Sequence, residues 1–261
     1  MIQLKSPREI ELMAQGGRIL GATLALLRRE TRPGVSTADL DAIAEEFIRS
    51  HDGAAPAFKG LYGFPGSICA SINNEIVHGI PSKKRVLRDG DILSIDVGVR
   101  YDGMYTDAAA TVPVGEISDE SRRLLDVTRR ALDAGIAAAT KDNHVGDIGA
   151  AVQGTVEAEG FSVVRELVGH GVGFAPHEDL QVPNYGKPKR GKKLVPGLTI
   201  AIEPMVNVGS PATRTMPDRW TVVTADGSRS AHFEHTVAIT EQGPRVLTAA
   251  SGVQRPALSV P

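Results

Sequence analysis

Two aspartates lie on either side of Asp102-Gly103, a dipeptide that strongly favours a two-residue turn between antiparallel strands. Such a turn places position 109 opposite Asp96, so Asp107 becomes its diagonal neighbour on the same face, roughly 7–8 Å away at the backbone. Two carboxylates inside apolar strands repel each other unless one is protonated or a cation lies between them. Two alternatives stay open: a three-residue turn would put the aspartates on opposite faces, and strand-end positions would leave both in solvent.

Two glutamates and a histidine are further candidates for the same chemistry. Glu203 ends the apolar run 198–202, and Glu234 lies within the strand-like stretch 231–239. His170 lies among glycines, which allow the backbone to approach another group closely. Taken singly, each glutamate could simply lie on the solvent-facing side of a half-buried strand. The histidine could simply be a hydrogen-bonded residue of the core or of a loop.

Taken together, these five residues offer four carboxylates and one imidazole. Four negative charges balance two divalent cations, which is the balance that a two-metal hydrolase needs. Oxygen-rich ligation with a single imidazole suits Mn, Fe, Co or a catalytic Zn. His78 and His177 would then be available to contact the substrate and its transition state.

The elements that must position these residues occur in the same order twice. Helix signals predict helices from Ser6-Pro7 to about Arg29, from Ser36 or Thr37 to Gly53, over 118–140 and over 147–159. Strand signals cover 67–72, 75–78, 91–99, 104–112, 161–166, 198–203, 220–224 and 231–240. The pattern predicts one α/β domain over 1–261, with similar halves at about 1–115 and 116–250. Residues 174–196 are predicted to form a long loop, and 248–261 a frayed tail.

Composition excludes several classes of protein. Of 261 residues, 41% are hydrophobic and 23% charged, which is typical of a globular chain. A formal charge of −2 argues against a protein that chiefly grips nucleic-acid phosphates, and the single Cys69 excludes an intrachain disulfide and a cysteine zinc cage. The sequence shows no secretory signal and no apolar run near ~18 residues, so we expect a cytoplasmic protein without a membrane span.

The motifs that carry these residues also occur together in a known family. They are Ile72-Asn-Asn-Glu-Ile-Val-His78-Gly-Ile-Pro81, Asp96-Val-Gly, Tyr105-Thr-Asp107, Gly169-His170-Gly-Val-Gly, Pro176-His177-Glu, Ile202-Glu203-Pro-Met and His232-Phe-Glu234-His-Thr. From the first helix to about residue 247 the chain resembles the methionine aminopeptidases of the bacterial type I. The resemblance implies the pita-bread fold, in which two pseudo-symmetric halves enclose a dinuclear metal site. It also implies a monomeric enzyme that removes initiator methionine from nascent proteins and prefers a small uncharged second residue.

The resemblance further implies a role for each candidate. Asp96 chelates one metal, Asp107 and Glu234 bridge both, and His170 and Glu203 complete the second site. A bridging hydroxide attacks the carbonyl of the first residue, with Glu203 as general base and proton shuttle. His177 stabilises the developing oxyanion, and His78 contacts the substrate near the scissile amide. The substrate amine binds the metal held by Asp96.

Two further sets of residues have a functional and an ordinary interpretation. Phe64, Cys69 and Trp220 match the apolar methionine pocket of the family, although relatives often carry tyrosine at position 64, and all three are also typical of plain packing. The run Lys187–Lys193 holds five basic residues, which are either a solvated loop or a contact for ribosomal RNA near emerging chains.

Two rival functions stay open. One is an X-Pro dipeptidase of the same fold, although such relatives add a large N-terminal domain before the first helix. The other is a non-catalytic binding module of the same fold, although such modules usually lose metal ligands. The eukaryotic type II enzymes are disfavoured, because only 30 residues separate Glu203 from Glu234 and leave no room for their helical insertion.

Overall fold

A computed structural model of the chain describes residues 2–249. Within this range the helices are α1 Pro7–Glu30, α2 Thr37–Arg49, α3 Asp119–Ala138 and α4 Val145–Glu157, with a 3-10 turn at Leu61–Gly63. The strands are β1 Ala54–Pro56, β2 Ile68–Ile72, β3 Glu75–Val77, β4 Ile92–Tyr101, β5 Met104–Pro113, β6 Ser162–Val163, β7 Gly169–Gly171, β8 Glu178–Val182, β9 Thr199–Ile202, β10 Met205–Asn207, β11 Thr213–Thr215, β12 Val222–Thr224, β13 Ser230–His232, β14 His235–Thr240 and β15 Gly243–Val246. The predicted order of two helices followed by strands, occurring twice, is confirmed.

The first two helices begin where the sequence predicts, because each has a reciprocal capping box. The Glu9 carboxylate accepts from the Ser6 amide at 2.7 Å, and the Ser6 hydroxyl accepts from the Glu9 amide at 3.4 Å. Ser36 and Asp39 form the same pair at 3.0 and 3.2 Å at the start of α2. The buried faces of these helices then pack against the first sheet.

That first sheet is built around β4, which pairs with β5 along its whole length and with β1 and β2 on its other edge. The turn at Asp102-Gly103 has positive φ at both residues, 45° and 85°, as a two-residue hairpin turn requires. Asp96 therefore lies opposite Ala109, and Asp107 opposite Gly98. The predicted diagonal arrangement of the two aspartates is confirmed.

The second large sheet has the strand order β15-β14-β9-β7-β8 and packs its apolar face against α3 and α4. Two three-stranded sheets, β13-β10-β6 and β11-β12-β3, lie beside it. Strand β14 also lies next to β5 of the first sheet. The edge shared by β5 and β14 brings the two halves together.

Three predictions of local structure were wrong. The predicted strand 231–240 is broken at Phe233 and Glu234, because β13 pairs with β10 whereas β14 pairs with β9 in a different sheet. The predicted loop 174–196 contains β8, which pairs with β7. The predicted fraying after Leu247 does not begin at Thr248, which is 1% exposed and whose hydroxyl accepts from the Thr236 amide at 3.2 Å. The rest of the predicted tail, 250–261, lies outside the described residues.

Helix α1 bears on the expectation of no membrane span. By length and composition alone this helix is long and apolar enough to cross a membrane, a property that the sequence analysis did not predict. Half of its most apolar stretch is buried within the fold, with Met13, Leu20 and Leu27 fully buried. Its apolar face therefore serves as packing surface in this structure.

Candidate metal centre

The aspartates of the β4–β5 hairpin lie on one face of the sheet, close enough for the negative charge of Asp96 to raise the pKa of Asp107. Asp107 is 6% exposed, and one oxygen of each carboxyl group is buried without a hydrogen-bond partner. The alternative in which these aspartates face solvent is therefore excluded. The register of a single hairpin is sufficient to bring both carboxyl groups to one point.

The two glutamates reach the same point from the second half. Glu234 lies at the junction of β13 and β14, where its amide donates to the Ala109 carbonyl at 2.9 Å. Glu203 directly follows β9, and Asn184 Nδ2 donates to its carbonyl oxygen at 2.9 Å. Because Ala109 lies opposite Asp96 in the hairpin, this backbone contact sets Glu234 beside the aspartates.

His170, on β7, presents one ring nitrogen to this cluster. Its Nδ1 is 2.9 Å from the Gly171 carbonyl, so Nδ1 carries the proton and Nε2 keeps its lone pair. Nε2 lies 3.5 Å from Glu203 Oε1. Burial lowers the pKa of His170 to about 4, which keeps the ring neutral, as a metal ligand must be.

The electrostatics of the cluster call for a cation. Burial raises the pKa of Asp96 to about 7. Burial, together with repulsion from neighbouring carboxylates, holds the pKa values of Asp107, Glu203 and Glu234 well above the usual range. Buried carboxylates without partners are costly, and metal coordination removes that cost.

Ligand geometry agrees with this requirement. Asp107, His170 and Glu234 each offer a ligand atom within 4.8 Å of the others. Oxygens of Asp96, Asp107 and Glu234 are buried without a hydrogen-bond partner in the described chain. A hard oxygen-rich donor set with one imidazole fits divalent transition-metal ions.

Two further histidines border the cluster. The ring of His177 lies edge-on to that of His170, with centroids 4.5 Å apart, and is stacked at 6.1 Å on Tyr62. His78 follows β3 with a φ of 61°, a left-handed conformation that is uncommon for histidine. Burial lowers the pKa of both rings, so both are neutral at pH 7 and each keeps one N–H to donate.

A cavity of about 290 Å³ opens beside the carboxylates. One wall is the apolar group Phe64, Cys69 and Trp220, in which the Phe64 and Trp220 rings meet edge to face at 5.1 Å. Cys69 on β2 lies directly opposite Asp96 on β4. Burial raises the pKa of its thiol, which therefore remains protonated and apolar in character. The structure brings all three predicted pocket residues together at the cavity.

The sequence reading did not assign several residues that line this cavity. They are Phe58, Leu61, Tyr62, Val77, Leu167, Val168, Met205 and His232. His232 carries the clearest sequence signal, because it stands two positions before Glu234. Its Nε2 lies 3.8 Å from Glu234 Oε2 and 3.9 Å from Glu203 Oε2. The apolar members carry no comparable signal, since they come from loops and strands that only the folded chain brings together.

A mixed α/β fold in which two halves supply buried carboxylates around one imidazole defines a metal-dependent hydrolase. Residues 11–241 match the family model described as metallopeptidase family M24, and the chain belongs to that family. The chain therefore has the pita-bread fold and uses divalent metal, as predicted.

Individual relatives with high sequence identity are methionine aminopeptidases. The methionine aminopeptidase of Clostridium perfringens is 55% identical over 248 residues, covering 95% of this chain and 99% of that protein. Methionine aminopeptidase 1 of Bacillus subtilis is 53% identical over the same coverage. The solved methionine aminopeptidase of Thermotoga maritima is 44% identical, with a TM-score of 0.93, over 95% of this chain and 100% of that one. A prolidase from Pyrococcus horikoshii, 22% identical with a TM-score of 0.76, shares the fold over 95% of this chain and 63% of its own.

Proposed function

We propose that this protein is a metal-dependent methionyl aminopeptidase that removes the initiator methionine from nascent polypeptides in the cytoplasm, as a monomer. The observation that carries the proposal is a buried cluster of four carboxyl groups and one imidazole at the wall of an apolar cavity. The high identity to methionine aminopeptidases over nearly the whole chain supports the same activity.

The donor set supports two divalent cations, drawn from Mn, Fe, Co or Zn. In this assignment Asp96 holds one cation, His170 and Glu203 hold the other, and Asp107 and Glu234 are shared. When bound, such a pair lowers the pKa of a coordinated water and polarises the scissile carbonyl.

The side chains around the centre supply proton transfer and charge stabilisation. Glu203 is assigned the general base, which accepts a proton during attack and delivers it to the leaving amine. Burial and the neighbouring carboxylates raise the pKa of Glu203, which makes it a stronger base than an ordinary glutamate. His177 donates its N–H to the carbonyl oxygen as negative charge develops there, and His78 contacts the scissile amide.

Substrate selection follows from the same surfaces. The wall formed by Phe64, Cys69 and Trp220 suits an unbranched apolar side chain such as that of methionine. A protonated or metal-bound α-amine is favoured beside the buried carboxyl groups, which restricts cleavage to the first residue of a chain. A small second residue is preferred in this proposal, as in the family.

The direct test compares metal-free and metal-loaded protein on Met-Ala-Ser and on an X-Pro dipeptide. We expect chelation to abolish hydrolysis of Met-Ala-Ser, and Mn, Co or Fe to restore it. Asp107→Asn should remove a shared ligand and lower kcat by at least about a thousandfold, while Asp119→Asn, at the exposed start of α3, should not change it. Preferential cleavage of X-Pro would identify a dipeptidase instead. Saturating ligand binding without turnover would identify a binding module.

A ribosome contact is the second part of the proposal, and the exposed basic loop Lys187–Lys193 supports it. Lys193 pairs with Asp142 at 2.8 Å, which anchors one end of the loop to the domain. Alanine at positions 187, 189, 190 and 192 should weaken co-sedimentation with ribosomes most at low salt, and should make the remaining binding less dependent on salt. Alanine at the exposed Lys83 and Lys84 is the matched control. Unchanged co-sedimentation would contradict the contact.

A further inference from the structure

A lysine ammonium is buried beside the segment that carries His177. The side chain of Lys5 is fully buried, although it comes from the extended segment that precedes α1. Its Nζ forms an ion pair with the Glu178 carboxylate, whose side chain is 13% exposed, and donates to the Gln3 carbonyl at 3.1 Å. The Lys5 backbone is fixed as well, since its amide donates to the Gly197 carbonyl at 2.7 Å. Buried charges of this kind are held only where a partner compensates them.

The partner of Lys5 belongs to the turn that carries His177. Glu178 directly follows His177, and its second carboxylate oxygen accepts from the Phe174 amide at 2.6 Å. The Lys5 ammonium also lies 5.1 Å from the centroid of the Phe174 ring. One lysine therefore contacts both ends of the segment 174–178, which we call the His177 turn.

Gly173 provides an independent indication that Lys5 passes tightly across this turn. A Cβ at Gly173 would lie 2.3 Å from Lys5 Cε, so an alanine there would displace the lysine. The Gly173 carbonyl in turn accepts from the Tyr105 amide at 2.7 Å, which joins the turn to β5 close to Asp107. The absence of a side chain at position 173 leaves the space that Lys5 occupies.

We propose that Lys5 is a positioning residue for His177, acting through its ion pair with Glu178. Among residues 2–249 the His177 ring contacts the rings of His170 and Tyr62 and has no hydrogen bond to orient it, so the geometry of the turn sets where its N–H points. Loosening the turn would misplace a donor aimed at the developing oxyanion, and small displacements of such groups lower rates strongly. The inference rests on the oxyanion role proposed for His177, but the anchoring itself is measurable without turnover.

The test uses the full chain and removes both charges together, because Lys5→Met alone would leave Glu178 buried and unpaired. Lys5→Met/Glu178→Gln should lower kcat on Met-Ala-Ser about tenfold, with KM within about twofold. Lys5→Arg keeps the ion pair and should retain most activity. Lys141→Met is the matched control, since it breaks an exposed pair, in which Lys141 Nζ lies 2.6 Å from Glu241.

Two readouts separate positioning from general damage. In a His177→Ala background the double substitution should lower kcat less than about twofold further, because the positioned group is already gone. Hydrogen exchange in metal-free protein should become faster in residues 173–178 and at the Tyr105 amide that bonds to Gly173, and stay unchanged in β5 from Asp107 onward.

Equal loss of kcat in the two backgrounds, or unchanged exchange in the His177 turn, would overturn the proposal. A wild-type protein that fails to cleave Met-Ala-Ser would contradict the proposed function, and the exchange measurement would still decide whether Lys5 anchors the turn.

Discussion

The Thr236 hydroxyl accepts a hydrogen bond from the Asp107 amide at 2.9 Å and donates one to the Asp107 carbonyl at 2.8 Å. A side chain from the second half thus hydrogen-bonds both backbone polar groups of Asp107, a candidate metal ligand in the first half. Thr111 makes the reciprocal pair with His232, at 2.8 and 2.9 Å, so the two halves are joined by matching contacts. These four bonds fix the backbones that carry the cluster.

Thr236→Val should therefore destabilise the protein although it preserves the side-chain shape. It leaves the amide and carbonyl of Asp107 buried without this partner, which costs about 1–3 kcal/mol for each group. Urea unfolding of metal-free protein should show the lower free energy, and calorimetric titration should show weaker metal binding. Thr155→Val, which removes a bond from a helix-surface hydroxyl to the Ala151 carbonyl, should change neither by a comparable amount. Equal effects of the two substitutions would contradict the role of Thr236.

The pH dependence of metal-free protein should reveal the buried carboxyl groups. Because the pKa of Asp96 is raised to about 7 and those of Asp107, Glu203 and Glu234 are raised well above their usual range, the folded state holds protons that the unfolded state has released. The free energy of unfolding should fall as pH rises through these values. Below about pH 6.5 the histidines oppose this trend, since burial lowers the pKa of His170 to about 4 and of His232 to about 3.

Above pH 7 the carboxyl groups therefore govern the trend, and toward pH 9 the buried Cys69 thiol adds to it with the same sign, because its pKa is also raised. Urea midpoints measured with a chelator should decrease from pH 7 to 9, and added Mn²⁺ should abolish the decrease by compensating the charges. Asp96→Asn should also weaken the dependence. A midpoint that is independent of pH in the presence of chelator would mean that the carboxyl groups are hydrated in the metal-free protein.

His78→Asn should impair turnover without releasing metal. Asparagine tolerates the left-handed backbone found at position 78, so the substitution removes the imidazole without adding much strain. Loss of one donor at the reacting amide should lower kcat by about 10²-fold. Metal content, measured by atomic emission, should remain that of wild type. His51→Asn provides the control, since His51 is a half-buried residue just after α2 that does not line the cavity beside the carboxylates. Loss of metal from the His78→Asn variant would instead identify His78 as a metal ligand.

Trp220→Ala should affect binding more than chemistry. The indole meets the Phe64 ring at 5.1 Å on the cavity wall, so its loss removes apolar contact with the substrate side chain. We expect KM for Met-Ala-Ser to rise about tenfold, with kcat changed much less. Phe47→Ala removes an aromatic ring of similar burial that packs on His51 instead. A lower kcat with an unchanged KM would contradict this prediction and would mean that Trp220 contributes to the chemical step.

The carboxylate pair could be predicted from sequence because its determinants are local. A single turn at Asp102-Gly103 fixes the register of β4 and β5, and with it the faces of Asp96 and Asp107. Capping boxes at Ser6 and Ser36 fixed the helix starts in the same way. The individual roles of the five ligand candidates remain predictions, although the structure brings them to one point.

What the sequence did not indicate depends on partners distant in the chain. The break at Glu234 arises because β13 and β14 pair with different strands, which no local pattern at 231–240 records. Strand β8 was not predicted because polar residues interrupt its alternation of apolar and polar side chains. The strand is stabilised by pairing with β7, which lies elsewhere in the sequence. Phe58 joins the cavity wall only once the loop after β1 folds against β2.

The position of Glu234 at the β13–β14 junction also has a consequence for biosynthesis. Glu234 comes 127 residues after Asp107, so a ribosome makes the hairpin long before it makes this carboxylate. Until then the hairpin aspartates have neither their opposing ligand nor the Thr236 contact that orders Asp107. The centre is therefore completed last, and an unfinished copy of the protein has no assembled catalytic machinery.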